Sequence, residues 1–102
     1  MIGGNIKASV LTRYTTKNEL GEDVTNYKPI TKINGWLDYT GGQTKYEAFK
    51  SPVEDSTHVF ICDYRDFKGD RLIIGRNTYD VLYVDDPMGL HLHLEIFLRL
   101  IK

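Results

Sequence analysis

Residues 91–101 read HLHLEIFLRLI, the clearest pattern in the chain. Alternation of apolar and polar residues is typical of a β-strand with one buried face. The apolar face comprises Leu92, Leu94, Ile96, Leu98 and Leu100, and the polar face carries His91, His93, Glu95 and Arg99. At about 3.3 Å per residue such a strand can bend around a barrel and pair on both sides. Phe97 and Ile101 fall on the polar face, which predicts that this face contacts a partner.

Five further strands are predicted before this one, at residues 6–14, 30–39, 57–64, 72–74 and 79–83. Gly75, Arg76 and Asn77 join the last two as a tight hairpin, because Gly and Asn readily adopt the positive φ that such turns need. Residues 85–89, with Pro87 and Gly89, predict another turn. Short antiparallel connections favour an all-β fold, a small six-stranded antiparallel β-barrel or a sandwich of the same strands.

The first half of the chain has four local features. Residues 15–27 are polar and predict an exposed excursion with a turn at Gly21. Pro29 is expected to open the second strand, where a missing N–H is tolerated. Gly35 predicts a bulge or a close backbone approach. Trp36 is interpreted as a core anchor.

Residues 41–56 read GGQTKYEAFKSPVEDS and break the strand pattern. Loops longer than about 12–15 residues are uncommon in compact domains and are usually functional or disordered. Residues 43–50 are compatible with a short helix, which would need packing to persist because so few residues are not helical alone. We therefore predict that the barrel holds this long loop, between the second and third strands, in place.

Composition limits the class of protein. A chain of 102 residues predicts one domain, residues 1–102, and 41% hydrophobic with 26% charged residues excludes disorder and membrane embedding. The start lacks the apolar core of a signal peptide, so we expect a soluble protein made in a cytosol. A net charge of −1 argues against tight binding of nucleic acid. Cys62 is the only cysteine, which excludes an internal disulfide.

The chemically reactive residues have simple structural interpretations. His58, His91 and His93 could ligate zinc, but a solvated strand face explains them better. Asp85 and Asp86 precede a proline, as in a turn. Cys62 is expected to be a buried strand cysteine. No phosphate-binding or nucleophile motif is present, so we expect no enzyme activity, no catalytic residue, no metal and no cofactor.

Tyrosine is abundant, and two interpretations remain. Tyr64, Tyr79 and Tyr83 could stack bases in an oligonucleotide-binding barrel. Tyrosine is also enriched in protein interfaces. Because the chain lacks a clustered basic groove, the interface interpretation is favoured.

The order and spacing of several short sequence segments resemble those of the head–tail joining proteins of long-tailed bacteriophages, also called head-completion, head-closure or stopper proteins. The early match consists of Arg13 in the opening strand, the Gly21-Glu22 turn, and Gly42-Gln43-Thr44-Lys45-Tyr46-Glu47-Ala48-Phe49 after the second strand. The later match consists of Thr57-His58, Tyr64-Arg65-Asp66, Asp70-Arg71-Leu72-Ile73, Gly75-Arg76, Tyr79-Asp80-Val81 and Val84-Asp85-Asp86-Pro87-Met88-Gly89. It extends over nearly the whole chain.

The resemblance implies a structural β-barrel that forms a ring, commonly a dodecamer, beneath the portal and its adaptor. The ring closes the DNA exit after packaging, lets double-stranded DNA pass without sequence-specific binding, and offers a platform for the tail or tail-terminator protein. It implies a virion protein, assembled in the host cytoplasm, with no membrane partner. The implied channel-gating loop comprises Gly41, Gly42, Gln43, Thr44, Lys45, Tyr46, Glu47, Ala48, Phe49 and Lys50. Candidate subunit interface residues are Tyr27, Phe97 and Ile101.

Two alternatives stay open. The chain could be a tail-terminator or minor tail ring protein, which is another small β-rich assembly. It could also be the oligonucleotide-binding barrel considered above, for which a salt-dependent affinity for short single strands would be evidence.

Overall fold

The computed structural model of the protein describes residues 6–39 and 56–101. Its strands are β1 (Ile6–Lys17), β2 (Asp23–Tyr39), β3 (His58–Asp63), β4 (Arg71–Ile74), β5 (Asn77–Asp85) and β6 (His93–Leu100), with a short 3₁₀ turn at Pro87–Gly89. The strands close into an antiparallel barrel in the order β1-β2-β3-β6-β5-β4. The predicted six-stranded antiparallel fold is confirmed, and the predicted helix at residues 43–50 lies outside the described residues.

The interior of the barrel is filled by side chains that alternate with outward-facing ones along each strand. The buried core comprises Ala8, Val10, Ile33, Phe60, Cys62, Leu72, Ile74, Tyr79, Leu94, Ile96 and Leu98. The β6 alternation places Leu94, Ile96 and Leu98 inward as predicted, whereas Leu92 and Leu100 at its ends are exposed. The central aliphatic residues of β6 therefore belong to the core, and the leucines at the two ends of this segment do not.

The first two strands are longer than the sequence pattern indicated. β1 continues to Lys17 and β2 begins at Asp23, so the predicted polar excursion is a two-stranded ribbon with a turn only at residues 18–22. The Asn18 side chain accepts from the Leu20 and Glu22 amides (2.9 and 3.0 Å), and Gly21 has a φ of 79°. The predicted exposed excursion and its turn at Gly21 are confirmed. The residues on either side of the turn pair as strands, because polar, threonine-rich residues can do so when no core contact is required of them.

The register of β1 and β2 changes between Val10 and Leu11. The extra residue is Ile30 on β2, because Val10 pairs with Thr31 and Leu11 pairs with Pro29. β1 itself continues against β4 without a shift. Pro29 lies opposite Leu11 at this point. Pro29 was predicted to open the strand, but it lies inside β2 at the register change, where the ladder is already interrupted.

Gly35 marks a close approach of two strands, as predicted. A Cβ atom built there would collide with the Ile61 carbonyl oxygen and lie 2.8 Å from the Phe60 ring. β2 and β3 pair over only four residues, from Trp36 opposite Ile61 to Tyr39 opposite His58. The absence of a side chain at Gly35 therefore lets β2 and β3 approach each other closely.

Trp36 does not anchor the core. It alternates with the buried Gly35 and the partly buried Leu37, and its side chain is 46% exposed on the outside of the barrel. The prediction failed because it relied on residue type, whereas the strand phase set by Ile33 decides which side of the sheet Trp36 faces.

The antiparallel order gives the barrel two distinct ends. One end, here called the loop end, carries Tyr39, His58, Leu100 and the Gly75-Arg76 turn. The opposite end carries the ribbon, the 64–70 connection and the 86–92 turn, which follow strands that run the other way. The two strand ends that flank residues 40–55, Tyr39 and His58, thus both lie at the loop end.

Candidate assembly interface

An apolar patch covers the outside of the barrel where four strands meet. Cross-strand pairing aligns two rows of outward residues on β2, β3, β6 and β5. The rows are Asp38, Val59, Phe97, Tyr83 and Trp36, Ile61, Glu95, Asp85. We call these eight residues the aromatic–acidic face. Five of them are apolar or aromatic, and among the eight there is no basic residue.

The aromatic residues of this face are partly exposed rather than covered. The Tyr83 and Phe97 rings stack at 6.2 Å between centroids with an interplanar angle of 29°, and Tyr83 is 46% exposed. Large aromatic side chains with one free side are enriched in protein interfaces. The acidic residues include Asp85 and Glu95, which lie directly opposite each other on β5 and β6. Like charges in that position are unfavourable, which favours a cationic partner.

A second face has the opposite charge. Outward residues of β1, β2 and β4 pair as Lys7 with Asn34 and as Ser9 with Lys32 and Ile73, and Arg71 lies opposite the buried Leu11. We call the set Lys7, Ser9, Lys32, Asn34, Arg71 and Ile73 the basic face. It contains three basic residues and no acidic one. Lys7 and Lys32 are exposed.

A cross-strand row joins the two faces along β4, β5 and β6. Arg71 donates from Nε to Asp80 (2.9 Å), and Arg99 Nη2 lies 3.6 Å from the second Asp80 oxygen. The Arg71 guanidinium also lies 3.8 Å from the centroid of the Tyr27 ring, a cation–π contact. Tyr27 therefore packs at the base of the ribbon beside the basic face.

The loop end is held by aromatic contacts and by Thr57. The His58 ring packs edge-to-face on Tyr39 (5.4 Å) and on Tyr79 (5.1 Å). Thr57 Oγ1 accepts from the Leu100 amide (2.8 Å), and the Thr57 amide donates to the Leu98 carbonyl (2.8 Å). Burial lowers the pKa of His58, so this ring favours its neutral form. Both strand ends that flank residues 40–55 are thereby fixed to the barrel.

The opposite end presents an apolar turn. Asp86 holds the turn by accepting from the His91 amide (3.0 Å) and through a contact of its second carboxylate oxygen with His91 Nδ1 (2.6 Å). Met88 and His91 both have a φ of 57°, a left-handed conformation that is unusual for residues other than glycine. The turn exposes Met88, Leu90 and Leu92, with Met88 90% exposed. Exposed apolar residues on a held turn are suited to contact with another protein.

Comparison with known proteins identifies the family. The phage head completion protein family matches residues 5–101. No curated protein matches the chain by sequence.

The chain belongs to the phage head completion protein family. The resemblance inferred from the sequence is therefore confirmed. Membership supports a structural role in completing the phage head, as a virion component that interacts with head and tail parts. Within residues 6–39 and 56–101, the structure contains no apolar helix long enough to cross a membrane.

The predicted site residues of this head completion protein fall in different places. The predicted gating residues Gly41 to Lys50 lie outside the described residues. Phe97 lies in the aromatic–acidic face, and Tyr27 lies beside the basic face. Ile101 is exposed at the loop end, where its amide donates to the Thr78 carbonyl (2.9 Å). Tyr27 and Phe97 are consequently not neighbours, although both were predicted as interface residues.

Two groups of candidate interface residues were not found from the sequence. Trp36 was assigned to the core, and its outward position follows from the phase of β2. Met88, Leu90 and Leu92 were treated as turn or strand residues, although an apolar residue in a proline–glycine turn is itself a signal of exposure. Val59 and Ile61 lie outward as the alternation of the third strand predicts, and only the pairing with β6 shows that they adjoin Phe97.

The histidine and carboxylate candidates are separated by the barrel. His58 lies at the loop end, whereas His91 and His93 lie at the opposite end. His93 Nε2 is 3.1 Å from Glu95. Among the described residues, no group of three potential ligands could hold a metal ion. Asp86 stabilises the turn by accepting a hydrogen bond from the His91 amide, as predicted for an Asp-Asp-Pro sequence.

Cys62 and the tyrosines are likewise structural. Cys62 is buried in the core, and burial raises the pKa of its thiol, which disfavours the reactive thiolate. Tyr79 is 2% exposed and cannot stack on a base, while Tyr64 packs on His91 with ring centroids 4.4 Å apart. The three tyrosines considered for base stacking are therefore not presented on one open surface.

Proposed function

We propose that this head completion protein forms a ring beneath the portal and adaptor, closes the DNA exit after packaging, and provides the platform on which the tail attaches. Residues 1–102 act as one connector domain. The ring is a dodecamer in the virion and assembles in the host cytoplasm. Residues 41–50 obstruct the channel, and DNA passes without sequence-specific binding when they are displaced.

The main support for the proposal is that the two ends of the barrel differ. The aromatic contacts of His58 with Tyr39 and Tyr79 fix both strand ends that flank residues 40–55 at the loop end. The exposed Met88, Leu90 and Leu92 lie at the other end. A connector between a head and a tail needs two different ends, and this barrel has them. Its closed sheet leaves the outer faces available for neighbours.

The charge of the proposed gating segment fits a mechanical obstruction. Lys45 and Lys50 are balanced by Glu47, Glu54 and Asp55. Double-stranded DNA carries one negative charge per about 1.7 Å, so a strongly basic segment would hold the genome and resist its release. A nearly neutral segment blocks the channel without gripping the phosphates. Lys45, Tyr46, Phe49 and Lys50 are the first residues to substitute.

We further propose that the gating segment becomes ordered by its neighbours in the assembled ring, through strand addition or a shared bundle. Amide hydrogen exchange in the isolated chain and in filled heads measures this. Protection of residues 41–50 should rise on assembly. Equal and strong protection in both states would contradict ordering by neighbours.

The function is tested by replacing residues 42–52 with a short Gly-Ser linker and adding the variant to filled heads that lack the protein. We expect a folded barrel, because the six strands themselves supply a buried core cluster. The variant should bind heads in normal copy number yet fail to retain DNA. A second variant, with 42–52 replaced by glycine and serine at full length, separates the contribution of side chains from that of length.

The outcomes are distinct. Unfolding of the linker variant would show that the segment is structural. Retention of DNA by heads carrying the linker variant would contradict closure by this segment. Retention by the full-length variant alone would assign the closure to the length of the segment and not to its side chains. If heads without the protein retain DNA and only isolated tails require it, the tail-terminator function would replace the one proposed.

A further inference from the structure

We infer that neighbouring copies in the ring bind head to tail, the basic face of one barrel against the aromatic–acidic face of the next. The inference rests on the proposed ring and specifies its contact. A ring with one contact repeated around it is heterologous, so each copy must present two different, complementary surfaces. The occupant of each face is therefore a second copy of this chain.

The positions of the faces meet the geometric requirement. In the closed order β1-β2-β3-β6-β5-β4, β1 and β6 are three steps apart in either direction. The basic face is centred on β1, and the aromatic–acidic face is centred on β6 and β3. Both faces include residues of β2, but their centres lie on opposite sides of the barrel, so each face can contact a different neighbour.

Charge complementarity selects this pairing. The basic face carries Lys7 and Lys32, both exposed, and the other face carries Asp38, Asp85 and Glu95. Either face against itself would juxtapose like charges, which disfavours an isologous dimer. The unfavourable Asp85–Glu95 pair would be relieved by lysines of a neighbour.

Apolar contact supplies the second part of the interface. Trp36 and Tyr83 are each 46% exposed and flank the half-buried Val59, Ile61 and Phe97. Aromatic residues at the centre with charges around them is the usual anatomy of a specific interface. The charges fix which faces meet, and the aromatic side chains provide area to bury.

The test uses two charge-reversed variants on filled heads that lack the protein. One variant carries Lys7→Glu with Lys32→Glu, so both of its faces are acidic. The other carries Asp38→Lys with Asp85→Lys, so both of its faces are basic. Copies bound per head are measured for each variant and for an equal mixture. A Lys68→Glu, Arg76→Glu variant has the same change in net charge as the first but lies outside both faces.

We expect each variant alone to reduce the copies per head about tenfold, because like charges meet at every contact. The mixture should recover to within about twofold of the wild type, since alternating copies restore opposite charges. The control variant should bind as the wild type does. Thermal unfolding of each variant verifies that the barrels are folded.

Failure of the mixture to recover, or normal binding of either variant alone, would overturn this pairing of faces. The proposed function has a separate point of failure in the same experiment. If the wild type binds heads in one or two copies only, the ring itself is wrong. A full wild-type complement with unaffected variants contradicts the interface and leaves the ring in place.

Discussion

The two sides of the β3–β6 sheet are both apolar, yet only one is covered. Phe60 and Ile96 point into the barrel and are fully buried, whereas their chain neighbours Ile61 and Phe97 point outward. The inner side closes the core without help from the outer side. The outer apolar residues are therefore available for assembly, and mutations on the two sides should separate folding from assembly.

The largest effect on stability is expected from a substitution in the core of the barrel. Phe60→Ala removes a fully buried ring from the core and should lower the free energy of unfolding by about 3–5 kcal/mol. Urea denaturation of the isolated protein measures this loss. Phe97→Ala is the matched control one strand away, and it should cost about 1 kcal/mol, mostly from the lost stacking on Tyr83. Equal losses at both positions would refute the separation of inner and outer sides.

The next effect is at the seam between β2 and β3. Gly35→Ala introduces a Cβ against the Ile61 carbonyl oxygen, so the strands must part. We expect a loss of about 1–3 kcal/mol, typical of overpacking. Asn34→Ala, at the exposed neighbouring position, should change stability by less than about 0.5 kcal/mol. A Gly35→Ala protein as stable as the wild type would contradict the close approach.

Substitutions on the outer surface of the barrel should have a smaller effect on stability and a large effect on assembly. Trp36→Ser and Phe97→Ser should change the free energy of unfolding by about 1 kcal/mol or less, because both side chains are partly exposed. The same variants should bind filled heads in about tenfold fewer copies, as hot-spot aromatic residues do when truncated. Normal copy numbers for both variants would show that these aromatic residues do not contribute to the interface.

The smallest effect concerns pH at the loop end. Burial lowers the pKa of His58 from its ordinary 6.5, so the unfolded chain binds the proton more readily. Stability should therefore be constant with respect to this group above pH 6.5 and fall as the pH drops through the lowered pKa. The difference between the wild type and His58→Phe, measured by urea denaturation from pH 7 to 5, isolates this group. An unchanged slope in the variant would contradict it.

Strand alternation predicted most of the fold because it reports directly on which side of a sheet each residue faces. The phase of residues 91–101 correctly assigned Leu94, Ile96 and Leu98 to the core and Phe97 to the outside. The same reasoning placed the Gly75-Arg76 hairpin between β4 and β5. The ribbon was missed because Thr, Asn and Lys have no apolar alternation when both sides of a strand meet solvent.

The candidate interface could be predicted only in part. Phe97 was found from its position on a polar strand face, but its neighbours Trp36, Val59 and Tyr83 come from three other strands. Their adjacency depends on strand order and register, which alternation within one strand does not contain. The opposition of the basic and aromatic–acidic faces follows from the closed order of the barrel and was equally hidden in the linear sequence.

Chemical cross-linking in assembled heads tests the head-to-tail ring most directly. A Lys32→Cys, Asp85→Cys protein places one thiol on each face, while the native Cys62 is buried. Treatment with a flexible bismaleimide should yield a ladder of covalent multimers that extends to the full ring. Either single cysteine variant should stay monomeric. A double variant that stops at dimers, or remains monomeric on heads with a full complement of copies, would contradict the account.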